Sequence, residues 1–372
     1  MLLLHNRYRV VGGEERSVEL QVRALEHAGI PHALLERTSA QAGRVRAAAA
    51  LLQGGSGTEP IAEAVERLGA TVAHAHNMLP LIGPRGLEAA RDAGAKVVLH
   101  LHNVRLFCAT GFGERDGGPC ERCRGRNTLP GLRLNCRRSL PEAAVYAAGL
   151  SAHQPRVLAA VDRFVTPSTA AADLLARRGL PRERILPLRH YLPPDSFAGE
   201  SRAGEGAYAL VSSRLSPEKG IDTAIEAAAE AGVPLRVAGD GPDRARLEAL
   251  ARGAAVEFLG RVPSERVRRL LGGAAAVLMP SRYHEFSPYS ALEAMAQGVP
   301  VVATAMGGLP ELLGSERCTP PGDGAAFAAR LAGLWTDTRM RQAEGEELLE
   351  RARERHGEER YVRELLELYA EL

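Results

Sequence analysis

Lysine is almost missing from this 372-residue chain: of 47 basic residues only Lys96 and Lys219 are lysines. Arginine serves nearly wherever positive charge suffices, so a lysine kept inside a motif points to a need for a compact ammonium. Asparagine is as scarce. It occurs at Asn6, Asn77, Asn103, Asn127 and Asn135, and the first three each follow a histidine. No apolar run approaches the roughly 20 residues that span a bilayer. The start runs from Met1 into His5-Asn6 without the basic and long apolar regions of a signal peptide. Together these absences predict a cytoplasmic protein without a transmembrane segment, and leave peripheral contact with a membrane surface open. A dominant charge is absent too, with 45 acidic residues against the 47 basic ones. No whole-molecule field recruits nucleic acid.

What is present is enough apolar sequence, 45%, for more than one core, since single cores rarely exceed roughly 250–300 residues. Strand and helix patterns alternate twice along the chain. Strands are expected at 2–4, 32–36, 70–74, 96–101, 163–166 and 184–188, with helices between most of them. After a Pro-, Gly- and Ser-containing stretch at 192–206, read as a linker, strands recur at 207–212, 235–238, 256–259, 275–279 and 299–303. Such alternation predicts an α/β fold of two doubly wound parallel sheets. The expected domains are residues 1–190 and 191–354, with a closing helix in 355–372 packing back on the first.

Ligands of such sheets bind where loops leave the carboxyl ends of strands. His5-Asn6, His76-Asn77 and His102-Asn103 each stand at such an edge, and their uncharged donors and acceptors suit sugar hydroxyls. Gly12-Gly13 precedes a helix, where backbone approaches a ligand closely and the helix start favours an anion. Arg214 and Lys219 follow the strand at 207–212 beside another helix start. A forked guanidinium and a point charge there suit a diphosphate. Gly239 and Arg261-Val262 follow the next two strands and suit loops around a base. Glu285 and Glu293 stand eight residues apart across a loop and a helix start, spaced to hold hydroxyls of two different sugars.

Ser213-Arg214-Leu215-Ser216-Pro217-Glu218-Lys219-Gly220, the Glu285/Glu293 pair, and Leu292-Glu293-Ala294-Met295-Ala296-Gln297-Gly298-Val299-Pro300-Val301-Val302-Ala303-Thr304 with Gly307-Gly308 together resemble the retaining family 4 glycosyltransferases of GT-B fold. The resemblance implies two Rossmann-like domains facing each other across a cleft. It implies transfer of a hexosyl or N-acetylhexosaminyl group from a nucleotide-diphosphate sugar, a UDP-sugar ahead of a GDP-sugar, to a hydroxyl acceptor such as a glycan, a lipid-linked sugar or a small molecule. No catalytic cofactor is implied, which fits the lack of any Asp-x-Asp pair. Carried over residue by residue, Gly13 lines the diphosphate, Arg214 and Lys219 bind it and stabilise the leaving nucleotide, and Glu285 contacts the transferred sugar. Glu293 takes the ribose, Arg261 and Val262 lie near the base, and His102 stands near the reacting sugar. Phe286, Ser287 and Pro288, against donor sugar and phosphates, depart from the commoner Gly-Phe-Gly. His190-Tyr191 stands where many members carry Asn-Gly.

Four of the five cysteines, Cys108, Cys120, Cys123 and Cys136, fall in one Arg- and Gly-rich stretch after His102. Cys120 and Cys123 have chelating spacing, and the set suits a structural zinc ion that would order a loop too polar to fold by burial. Disulfides and four unlinked thiols stay open beside it. Two other functions are set against glycosyl transfer. A nucleotide-sugar epimerase or phosphorylase keeps the fold and changes the reaction, and the Arg214/Lys219/Glu285/Glu293 set favours transfer. A nucleic-acid-binding module built on the arginines around these cysteines lacks interleaved aromatics.

Overall fold

The computed structural model describes residues 1–8 and 12–372. The chain divides into two compact units, one of Met1–Gly113, Glu121–Leu188 and Tyr361–Leu372, the other of Glu114–Cys120 and Arg189–Arg360.

The first unit is built on β1 (Leu2–Arg7), β2 (Ala33–Thr38), β3 (Val72–Ala75) and β4 (Lys96–His100). It is completed by β7 (Arg163–Thr166) and β8 (Ile185–Pro187), after a short hairpin, β5 (Glu114–Arg115) with β6 (Gly118–Pro119), that belongs to the second unit. The six-stranded sheet runs β2-β1-β3-β4-β7-β8, every neighbour parallel. β1, β3 and β4 are buried along nearly their whole length, as a sheet covered on both faces requires.

The stretch between β4 and β7 contains a helix, Leu140–Ala160. Two residues unfavourable to a helix interior, Gly149 and Pro155, have structural roles within it. A Cβ at Gly149 would come within 2.9 Å of Leu51, so glycine lets this helix press against the helix Gly43–Gln53. Pro155 has no N–H to give the Ser151 carbonyl one turn back, and Arg126 Nε donates to that oxygen at 3.2 Å.

The second unit holds β9 (Tyr208–Ser212), β10 (Leu235–Ala238), β11 (Val256–Gly260), β12 (Ala274–Met279), β13 (Val301–Thr304) and β14 (Cys318–Thr319). Their order is β11-β10-β9-β12-β13-β14, again parallel throughout. Alternate residues feed opposite cores. Leu210, Val277, Val301 and Ala303 pack with the helices Tyr289–Ala296 and Thr338–Arg355. Ala209, Val211, Leu278 and Val302 pack with the helices Ile221–Glu230 and Gly324–Thr336.

The stretch read as a linker is instead part of this unit. Ala198 N–H donates to the Ala296 carbonyl at 2.8 Å and Ser201 Oγ to that of Gly298 at 2.6 Å. Buried Arg341 donates to the Ala203 carbonyl at 2.6 Å.

Candidate functional site

Strand order in the second unit reverses direction between β9 and β12, neighbours in the sheet that are far apart in sequence. The loops leaving their carboxyl ends must part there, which opens a crevice. The loop after β9 carries Arg214 and reaches Lys219 in a short turn, Pro217–Lys219. The loop after β12 carries Ser281, Tyr283 and Glu285, then starts the helix Tyr289–Ala296 at Pro288.

These two loops meet through one polar cluster. Lys219 Nζ donates to Glu285 Oε1 at 2.8 Å and to the Tyr283 hydroxyl at 2.9 Å. Ser281 Oγ donates to Glu285 Oε1, and the Tyr283 hydroxyl to Oε2, each at 2.7 Å. Glu285 is 4% exposed and Lys219 18%. Burial alone would drive a proton off Lys219, but the Glu285 carboxylate and the Tyr283 hydroxyl outweigh it and hold the ammonium above its usual range. Burial, with Glu285 adding to it, pushes the Tyr283 phenol up. Lys219 is therefore a fixed cation.

Arg214 is more open and forms an ion pair with buried Glu218, while its Nε donates to Ser216 Oγ at 3.2 Å. The surrounding backbone is interlocked where only glycine fits. A Cβ at Gly239 would stand 1.8 Å from the Ser213 carbonyl, and one at Gly220 would stand 2.0 Å from that of Pro280. Thr304 Oγ1 donates to the Ser281 carbonyl at 2.6 Å, tying the end of β13 to the same loop.

The other residues of the second unit singled out by sequence take different positions. Glu293 lies half-buried within the helix Tyr289–Ala296. Phe286 and Ser287 are buried, and His190 Nδ1 lies 3.0 Å from the Ser287 carbonyl with its ring stacked on Tyr289. Gly239 follows β10. Exposed Arg261 and half-buried Val262 follow β11, Val262 packing on the core. Sequence reasoning missed Ser281 and Tyr283. Their signal was position, since both follow the last residues of β12.

In the first unit Gly12 caps the helix Gly13–His27. Glu15 accepts from the Gly12 amide at 2.8 Å and from that of Tyr8 at 3.0 Å. Burial pushes the neighbouring Glu14 carboxyl up to about 7 against the pull of Arg105. Acidic groups thus already occupy the helix start where a diphosphate was expected. Half-buried His102 stacks on His100 with centroids 4.2 Å apart and lies 3.0 Å from His76 Nδ1.

Two of the His-Asn pairs are not open to sugar hydroxyls. Asn6 donates to Ser39 Oγ at 2.7 Å and accepts from the Leu81 amide at 3.1 Å. Asn77 donates to the Asn6 carbonyl at 2.7 Å and accepts from the Leu79 amide at 3.1 Å. Their amides brace adjoining loops.

The zinc expectation also needs correction. Among the described residues, the side chains whose ligating atoms come within 4.8 Å in threes are histidines, and Cys108, Cys120, Cys123 and Cys136 form no such set. Cys108 Sγ lies 3.1 Å from Thr110 Oγ1, and buried Cys123 lies 4.0 Å from the Thr128 carbonyl. Protein contacts order the loop: Thr128 Oγ1 donates to the Ala147 carbonyl at 2.6 Å and the Gly125 amide to that of Arg178 at 2.7 Å. Arg137 pairs with Glu142 at 3.1 Å and lies over the Tyr146 ring. With Arg124 donating to the Glu121 carbonyl at 3.1 Å, several of the loop's arginines make contacts within the chain.

Residues 194–354 match the family model of glycosyl transferases group 1. The chain carries a glycosyl transferases group 1 domain. Over 192 residues it is 33% identical to the putative colanic acid biosynthesis glycosyltransferase WcaL of Escherichia coli, covering 46% of this chain and 47% of that protein. Over 215 residues it is 34% identical to the 2-deoxystreptamine glucosyltransferase of Streptomyces kanamyceticus, covering 52% and 49%. The chain therefore spans about half the length of the curated relatives it matches. The fold is that of solved GT-B structures. Anabaena HepE in complex with UDP superposes with a TM-score of 0.69 at 17% identity, both chains covered completely. Sucrose-phosphate synthase of Thermosynechococcus elongatus superposes at 0.74 and 18%, covering 100% of this chain and 98% of that one. Among the described residues no helix is long and apolar enough to cross a membrane.

Proposed function

We propose that this protein is a retaining glycosyltransferase that moves a hexosyl or N-acetylhexosaminyl group from a UDP-sugar to a hydroxyl acceptor without a catalytic metal ion. The observation that carries the reading is the Lys219–Glu285 contact at the strand-order reversal, set in a group 1 domain. A fixed ammonium there attracts the donor diphosphate. When phosphate oxygens approach, Lys219 exchanges part of its bond to Glu285 for them, which releases Glu285 oxygen lone pairs toward the sugar hydroxyls.

Arg214 adds a second cation, and both stabilise charge growing on the leaving UDP. Glu293 takes the ribose. Phe286, Ser287 and Pro288 back the sugar and phosphates, and Gly239, Arg261 and Val262 border the base. UDP is favoured because HepE has been solved with UDP and with UDP-glucose. GDP is the second reading, on a 40% match over 106 residues to a GDP-mannose-dependent mannosyltransferase of Mycobacterium tuberculosis.

Calorimetric titration with UDP, UDP-glucose, UDP-N-acetylglucosamine and GDP-mannose tests the donor. Saturable binding of the UDP compounds, lost in Glu293→Gln, supports the proposal. Binding of GDP-mannose alone moves it to the second reading, and no binding of any of the four removes it.

A further inference from the structure

β3 contains His74 and leads directly into His76, and β4 ends on His100. His74 lies opposite Val98 and Ala75 opposite Leu99, so His76 and His100 come next in register. Side chains alternate across a strand, which puts all three imidazoles on one face of the sheet. The three are 0%, 1% and 1% exposed. His74 stacks on His76 and His76 on His100, each pair with centroids 5.0 Å apart. One ring nitrogen from each lies within 4.8 Å of the other two.

Valine or leucine at these positions would fill a core face without polar atoms to satisfy. His74 shows what the imidazoles offer instead. Its Nδ1 lies 2.6 Å from the Tyr369 hydroxyl, while its Nε2 is sealed from solvent without a hydrogen-bond partner. An imidazole oriented through one nitrogen, with the other turned into a polar interior, is the arrangement in which proteins hold metal-ligating histidines. Ligation needs the neutral ring.

We propose that His74, His76 and His100 form a binding site for one divalent transition-metal ion of the zinc class, behind the helix that carries Tyr369. Three imidazoles supply three ligands of a tetrahedral shell. Zinc at about 2.0–2.1 Å from each nitrogen sets the nitrogens roughly 3.4 Å apart, so the rings swing inward from their stack on loading. Burial closes the remaining position to substrate, and the ion is structural: it satisfies the sealed His74 Nε2 and stiffens the strand ends that lead to His102. The site stands independently of the glycosyl-transfer reading.

Full-length protein, stripped with chelator in denaturant and refolded with or without zinc chloride, tests it. Roughly one zinc per chain should survive gel filtration, with an X-ray absorption shell of nitrogen and oxygen at about 2.0–2.1 Å and no sulfur. His74→Gln and His100→Gln should each lower zinc affinity at least about tenfold, whereas His27→Gln at the exposed end of its helix should not. A sulfur shell near about 2.3 Å would move the ion to the cysteines and overturn the site. Wild-type protein that refolds and keeps no zinc would overturn it as well. If the histidine variants fail to fold, the wild-type shell decides alone.

Discussion

Gly307 lies so close under the loop after β12 that a Cβ there would stand 2.2 Å from the Glu285 carbonyl oxygen. The Gly308 amide donates to that same oxygen at 2.6 Å. The glycine pair after β13 thus sets the height of Glu285, and through it the carboxylate that holds Lys219.

Gly307→Ala should therefore damage the site by moving backbone. The position has φ +62, which costs an alanine about 1–2 kcal/mol before any clash. Thermal denaturation should show a midpoint lowered by roughly 2–8 °C, together with weaker donor binding. Unchanged stability and affinity would mean that Glu285 does not depend on this support.

Lys219→Ala and Arg214→Ala should part company. Removing Lys219 strands the buried Glu285 carboxylate, a change that costs roughly 3–5 kcal/mol when a buried pair is broken. Its 18% exposure places it at the lower end. Arg214 is 43% exposed, and its loss should cost about 0–1 kcal/mol of stability. Both should slow transfer by roughly two to three orders of magnitude. Urea midpoints and turnover measured on the same preparations separate the two effects, and Lys219→Ala/Glu285→Gln should regain stability without activity.

Acid should unfold the second unit. Burial lowers His190 and His356 each to about 4, below the free value, so the unfolded chain binds more protons as pH falls. The stability these neutral rings contribute is intact above about pH 6.5 and is lost toward pH 4, by roughly 1.4 kcal/mol per pH unit for each. Urea midpoints from pH 7 to 4.5, with chelator present, should fall accordingly. His356→Gln should flatten the slope by about half. A pH-independent midpoint over that span contradicts the assignment.

Tyr369→Phe removes the hydroxyl 2.6 Å from His74 Nδ1 and 3.2 Å from Gln21 Nε2. Leaving buried polar atoms unpaired should cost about 1–3 kcal/mol. Hydrogen exchange should quicken in the helix Glu358–Ala370 before it does elsewhere. Equal acceleration throughout would show that the hydroxyl does not pin this helix.

The parallel strands are legible in the sequence because both faces are buried, which leaves short unbroken apolar runs such as Ala274–Met279 between turn residues. Arg214, Lys219 and Glu285 are legible as well, since they follow strand ends beside helix starts. The helix Leu140–Ala160 escapes notice because Gly149 and Pro155 are chosen for close approach and for a carbonyl given to Arg126, against local helix preference. The His-Asn pairs mislead for a related reason. Polar residues at a strand edge look the same in sequence whether they face a ligand or brace the next loop, and Asn6 and Asn77 do the latter. His74 in β3 and His76 just past its end, two residues apart, were a period-two signal for one sheet face that the strand-end reading passed over.

Tyr361–Leu372 belongs to the first unit although the whole stretch Arg189–Arg360 is translated in between. At 5–20 residues per second, the ribosome leaves the early sheet without that helix for on the order of ten to thirty seconds. Throughout that interval His74 and Gln21 lack the Tyr369 hydroxyl that later closes over them. The nascent first unit therefore waits for its closing helix until Tyr369 has been translated, and a stop codon placed anywhere before residue 361 leaves it permanently without that helix.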